Sequence, residues 1–164
     1  MTDQPTIRIL LVDDEETLLE FLSKRLLKQG YTVKAVFSGE EAVKVAKDEH
    51  FDVAVVDLKM PGIDGVETQK RLRQMQPFLQ CIVLTGHGSI ETALESGQQE
   101  AFQYLLKPVD YDNLIISIQK AYDKKMKLQY QEFKEKVAEI STSGMGAHGI
   151  KKAIGELQKI YGIA

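Results

Sequence analysis

The chain has 164 residues, 43% hydrophobic and 27% charged, the balance of a folded chain rather than a disordered one. Its net charge of -3 gives no general attraction to nucleic acid or an anionic membrane, and the single cysteine excludes an internal disulfide framework and a cysteine-based zinc site. The length fits one domain of about 100–150 residues with about forty left over. No segment approaches the roughly 18 consecutive apolar residues of a membrane span, and Asp3 and Pro5 before a short apolar run do not resemble a signal peptide. The expectation is a cytoplasmic protein with no membrane contact.

Taken in order, residues 7–12 are short, apolar and rich in branched side chains, as in a buried strand, and end at Asp13 and Asp14. Residues 16–29 place Leu18, Leu19, Leu22, Leu26 and Leu27 on one helical stripe, with Gly30 positioned to end it. Residues 32–36 alternate and form a weaker strand. Ser38, with Glu41 three residues on, is placed to cap a helix containing Ala42, Val43 and Ala46. Residues 53–56 make the next strand, running into Asp57, and residues 66–75 a helix with Val66, Leu72 and Met75 among charged neighbours. Residues 81–84 lead to Thr85, residues 89–96 are helical, residues 104–106 lead to Lys107, and residues 110–121 are helical again. Strand followed by helix, repeated in this way, folds as an open, doubly wound parallel α/β sheet covered on both faces.

Beyond residue 111 no helix breaker appears until Gly144, so the last of these helices is expected to run well past the sheet. Met126, Tyr130, Phe133, Val137 and Ile140 have the 4-3-4-3 spacing of a short coiled-coil seam, which suits either dimerisation or packing within the chain. Residues 141–149 are glycine-rich. Ile150, Ala153, Ile154, Leu157 and Ile160 or Tyr161 then share one face of a final helix, too short to be stable unless it docks. Residues 1–122 carry 13 basic and 19 acidic side chains, net -6, whereas residues 123–164 carry 8 and 5, net +3.

The informative polar residues all stand where strands end, and in open α/β sheets those ends line the ligand crevice. Asp13, Asp14 and Asp57 would converge there with the Thr85 hydroxyl and the Lys107 ammonium. Clustered carboxylates repel one another unless a cation intervenes, and an oxygen-only, incomplete shell favours a hard ion such as Mg²⁺. A phosphoryl group fits between metal, ammonium and hydroxyl, which makes Asp57 a plausible nucleophile. Singly, each residue also has an ordinary role: Asp13 or Asp14 as a helix cap, Asp57 as the start of a turn, Thr85 as a strand residue, Lys107 as an exposed lysine.

Together, VDDEE (residues 12–16), VVDLKMPGIDG (55–65), LTGHGS (84–89) and YLLKPVD (104–110) resemble the receiver domains of two-component response regulators, with TGHGSIETA closest to the nitrogen-regulation class. The resemblance covers about residues 6–122. It implies a flavodoxin-like five-stranded parallel sheet of order 2-1-3-4-5, a receiver domain at 1–122 and a helical extension at 123–164. It implies that Asp57 accepts a phosphoryl group from the phosphohistidine of a sensor histidine kinase or phosphotransfer protein, a signalling role rather than an enzyme's. Mg²⁺ would be held by Asp13, Asp14, Asp57 and the backbone carbonyl of Lys59. Thr85 and Lys107 would bind the phosphoryl oxygens and Tyr104 would report the change. The side chains of Lys59 and His87 would tune phosphoryl lifetime, and the bond before Pro108 would be cis.

In relatives the fourth helix usually ends in a Leu and a Gly before the fifth strand, where this sequence has Gln99 and Glu100 with Gly97 upstream, so that helix is expected to be short. Output is expected through protein–protein association, with a possible homodimer formed by the fourth helix, fifth strand and fifth helix and by the helix over residues 126–140. The alternative, suggested by the class resemblance, is the receiver portion of a longer DNA-binding transcriptional regulator. From this chain itself no direct nucleic-acid binding is expected, since the tail has too little for a helix-turn-helix core and its charge is a weak footprint for nucleic acid. An aspartate-nucleophile phosphatase of the haloacid-dehalogenase type is excluded, because Asp57 lacks a second Asp two positions on.

Overall fold

The computed structural model describes residues 6–86 and 101–163. His87, the helix expected at 89–96, Gly97, Gln99 and Glu100 lie outside the described residues. In chain order the described elements are β1 (Arg8–Val12), α1 (Glu16–Lys28), β2 (Thr32–Val36), α2 (Gly39–Ala46), β3 (Val53–Asp57), α3 (Gly65–Met75), β4 (Gln80–Thr85), β5 (Gln103–Leu106), α4 (Tyr111–Ser141) and α5 (Ala147–Tyr161). By its internal contacts the chain divides into two compact units, Met1–Asp123 and Lys124–Ala164.

In the first unit all five strands pair in parallel in the order β2-β1-β3-β4-β5. Successive side chains of a strand point to opposite faces, and the core divides accordingly. Ile9, Leu11, Val53, Val55, Ile82 and Leu84 pack on one face with Leu19, Leu22 and Leu26 of α1 and Leu114, Ile118 and Ala121 of α4. Leu10, Val12, Ala54, Val56 and Cys81 pack on the other with Ala42 and Ala46 of α2 and Leu72 of α3. Burial pushes the Cys81 thiol up to about 12, which leaves it a small apolar core residue rather than a reactive one.

The helix ends follow from local chemistry. Gly30, at φ +99°, closes α1 in a left-handed conformation that other residues adopt only with strain. Ser38 accepts the Glu41 N–H at 3.1 Å, and the Glu41 carboxylate accepts the N–H of Phe37 at 2.8 Å, one residue earlier than a standard capping box. Asp64 caps α3 by accepting the Glu67 N–H at 2.8 Å, a cap the hydrophobic pattern did not reveal. Neither Asp13 nor Asp14 occupies the cap position of α1, which is Glu15.

In the second unit Phe133, 9% exposed, meets the Tyr161 ring edge-on with centroids 6.0 Å apart, and Tyr130 stacks on Phe133 at 6.3 Å. The Tyr161 hydroxyl donates to Glu132 at 2.6 Å. The final helix therefore docks through Tyr161, and Ile160, 75% exposed, turns to solvent. Of the seam residues Phe133 is thus buried within this unit, while Met126 and Tyr130 stay exposed.

Candidate functional site

The register of the sheet sets the site. Val12 pairs with Val56, Asp57 with Leu84 and Thr85 with Leu106, so the residues leaving β1, β3, β4 and β5 emerge along one edge. Chain direction reverses its lateral path between β1 and β3, the switch point at which such sheets bind ligands. Asp13 and Asp57 flank that point.

The Lys107 ammonium lies 2.9 Å from Asp13 Oδ2, 3.4 Å from Asp57 Oδ1 and 3.6 Å from Glu15 Oε2. The side chains of Asp13, Asp57 and Lys107 are 3%, 10% and 23% exposed, so this is a largely desolvated cluster with one wet side. Asp13 Oδ1 also accepts the Glu15 N–H at 2.9 Å, which fixes its carboxylate with one oxygen turned to Lys107. Oxygens of Asp13, Asp14 and Asp57 lie within 4.8 Å of one another, a separation that one small cation can bridge. Burial first, then the charges of Asp13 and Asp14, push the Asp57 carboxyl up to about 6 against the attraction of Lys107. Burial alone would lower the Lys107 amine, but the hydrogen bond and charge of Asp13, with those of Asp57, hold it above its ordinary value. Among the described residues four carboxylates, those of Asp13, Asp14, Glu15 and Asp57, stand around one ammonium, so the site holds more negative charge than that ammonium neutralises. The donor set therefore fits a hard divalent cation.

Thr85 is buried, and its hydroxyl donates a long 3.4 Å bond to the adjacent Gly86 carbonyl, a weak commitment easily exchanged for a better acceptor. Tyr104 is half-buried and packs against Leu58 and Val83. The Lys59 side chain is exposed in the loop after β3. The Lys107–Pro108 peptide is cis. Glu15 joins the ammonium without having been singled out in the sequence, although its place beside the paired aspartates was a signal that could have found it.

Gly65 supports Asp57 from below. Its N–H donates to the Leu58 carbonyl at 2.8 Å, and a Cβ there would press on the Asp57 carbonyl oxygen and lie 2.7 Å from Leu58 Cα. Backbone cannot move aside as a side-chain tip can. Gly65→Ala is expected to destabilise the first unit by about 2–3 kcal/mol, as overpacking does, measurable by urea denaturation. An unchanged midpoint would show that the loop has slack.

Residues 9–119 match the family described as response regulator receiver domain. The chain is 36% identical over 137 residues to the transcriptional regulatory protein GlrR of Escherichia coli, covering 84% of this chain and 31% of that protein. It is 33% identical over 145 residues to the regulatory protein AtoC of the same organism, covering 86% and 30%. The chain thus spans about a third of the length of these curated relatives. Among solved structures, a CheY-like receiver domain protein from Methanospirillum hungatei superposes with a TM-score of 0.70 at 29% identity, covering 75% of this chain and 98% of that one. The response regulator TrrA from Thermotoga maritima, solved in complex with Mg²⁺ and BeF, gives 0.63 at 32%, covering 71% and 99%. Among the described residues no helix is long and apolar enough to cross a membrane.

Proposed function

Because the chain belongs to the response regulator receiver domain family, we propose that it is a phosphorylation switch whose acceptor is Asp57. The observation that carries this reading is the convergence of three carboxylates and the Lys107 ammonium at the switch point of the sheet. A carboxylate oxygen of Asp57 attacks phosphorus in line on the phosphohistidine of a sensor kinase or phosphotransfer protein. The phosphorus–nitrogen bond opens, its electron pair leaves with the imidazole, and an acyl phosphate remains on Asp57. No general base is needed, since the attacking oxygen is already ionised.

Asp13, Asp14, Asp57 and the Lys59 carbonyl are the groups that would hold Mg²⁺, which when bound neutralises charge on the transferring oxygens. Lys107 then pairs with a phosphoryl oxygen in place of the Asp57 carboxylate, and the Thr85 hydroxyl exchanges its long bond to Gly86 for a phosphoryl acceptor. Tyr104 carries that movement to the surface around β5, while the side chains of Lys59 and His87 tune how long the acyl phosphate survives. Residues 1–122 act as the receiver and residues 123–164 as a helical extension. The output is association with a partner or a second copy, in the cytoplasm.

A second reading, the receiver portion of a longer DNA-binding regulator, is favoured by one observation: the chain spans only 31% and 26% of the length of two relatives named as transcriptional regulatory proteins. A reading frame continuing into a DNA-binding domain would decide for it.

The test incubates the protein with Mg²⁺ and acetyl phosphate, then measures intact mass and oligomeric state. A single phosphoryl adduct, absent in Asp57→Asn, is expected. No adduct, or one indifferent to that substitution, overturns the proposal. An adduct that leaves association unchanged removes the phosphorylation-dependent dimer and keeps the acceptor.

A further inference from the structure

Resting on that metal reading, we infer that Glu40 is a positioning residue for the site: from the first turn of α2 its carboxylate holds the loop after β3 in the shape that presents the Lys59 carbonyl. The base of this loop, residues 58–64, is closed by backbone, with Gly65 N–H donating to the Leu58 carbonyl at 2.8 Å. Its far limb is held from α2, where Glu40 Oε1 accepts the Ile63 N–H at 2.9 Å.

The packing around that bond is close on both sides. Gly62, at φ +78°, passes so near the Glu40 carboxylate that a Cβ there would lie 3.0 Å from Cδ and Oε2. At the start of α2, a Cβ on Gly39 would press on the Thr68 hydroxyl and lie 2.5 Å from Ile63 Cγ1. Thr68 in turn donates to the Asp64 carbonyl at 2.7 Å, tying the loop's end to α3. Two glycines thus remove the side chains that would otherwise hold α2 and the loop apart, and Glu40 bridges the contact they allow. The Ile63 N–H, foremost, holds the Glu40 carboxyl below the usual carboxylate range, so the acceptor is charged at neutral pH. Groups that orient a metal ligand without touching the metal commonly change its affinity by more than their own exposure suggests.

The test titrates Mg²⁺ calorimetrically into the full chain and compares Glu40→Ala, Glu40→Gln and Asp57→Asn. Glu40→Ala is expected to weaken Mg²⁺ binding about tenfold and to speed hydrogen exchange at the Ile63 amide. Metal-free melting should be nearly unchanged. Glu40→Gln keeps an acceptor oxygen and should restore most of the affinity. Equal affinity in wild type and Glu40→Ala overturns the inference and leaves the metal reading intact. Lower affinity with an equal loss of metal-free stability and no rescue by Gln overturns it in favour of a purely structural tie. Mg²⁺ binding that Asp57→Asn leaves untouched overturns the metal reading itself.

Discussion

Asp57→Asn is expected to abolish phosphoryl acceptance and, in the absence of divalent cation, to make the protein more stable. The first effect is chemical, since an amide oxygen is not an ionised nucleophile. The second is electrostatic and distinguishes a functional cluster from an ordinary ion pair. The folded state holds the Asp57 carboxyl up to about 6 against an ordinary value of 3.8, through burial and the charges of Asp13 and Asp14. Between those two values the folded protein binds more protons than the unfolded chain, so stability from this group falls as pH rises, and the whole cost is present above about 6. The full shift corresponds to about 3 kcal/mol, and allowing for solvent on the open side of the crevice leaves about 2 kcal/mol.

Asp57→Asn removes that cost. Its advantage over wild type should therefore be near zero around pH 4 and grow to about 2 kcal/mol at pH 7, read from urea midpoints without metal. Added Mg²⁺ should reverse the order, because only the intact carboxylate set gains binding energy from the ion. A variant that is less stable than wild type at pH 7 without metal would mean that the bond to Lys107 outweighs the repulsion, and the site would then be a structural pair.

The fold and the site were unequally legible in the sequence. Parallel strands buried on both faces must be apolar throughout, which is why residues 53–56 and 81–84 stood out, and each observed strand extends them by a residue or two into polar positions that pair in register. Asp13 and Lys107 are 94 residues apart, yet their meeting followed from topology alone, because right-handed crossovers place every strand end on one edge. Glu40 was not legible. Its partner is a backbone N–H in a loop whose path depends on a left-handed Gly62, and no hydrophobic period records that. The tail shows a different limit. Ile160 and Tyr161 are adjacent on a helix and both fit the apolar face within its tolerance. Only the ring contact with Phe133 and the hydroxyl bond to Glu132 choose Tyr161. The resemblance of the motifs supplied what spacing could not, namely the order of the strands, which the sheet adopts.

Lys107→Met should have the opposite sign. It removes the cation 2.9 Å from Asp13 and 3.4 Å from Asp57 and leaves two buried carboxylates facing each other, with Asp14 and Glu15 nearby. Breaking a fully buried pair from one side costs about 3–5 kcal/mol; here the ammonium retains 23% exposure, and about 2–3 kcal/mol is expected without metal at pH 7. Loss of the attraction must also raise the Asp57 carboxyl further, since Lys107 is what opposes burial there. The variant should therefore regain stability as pH falls through that raised value, when the folded state takes up a proton. In an Asp57→Asn background the same substitution should cost less, because one of the repelling carboxylates is gone, and the shortfall measures the coupling directly. Mg²⁺ affinity should rise in Lys107→Met, because a divalent ion no longer competes with the ammonium for Asp13 and Asp57. Phosphoryl acceptance then separates from response: the adduct can still form where the ion neutralises the phosphoryl oxygens, but no side-chain cation is left to exchange Asp57 for its phosphoryl group. Intact mass with an unchanged elution volume in size-exclusion chromatography would show that separation. Retention of a phosphorylation-dependent shift in Lys107→Met would locate the response elsewhere in the site.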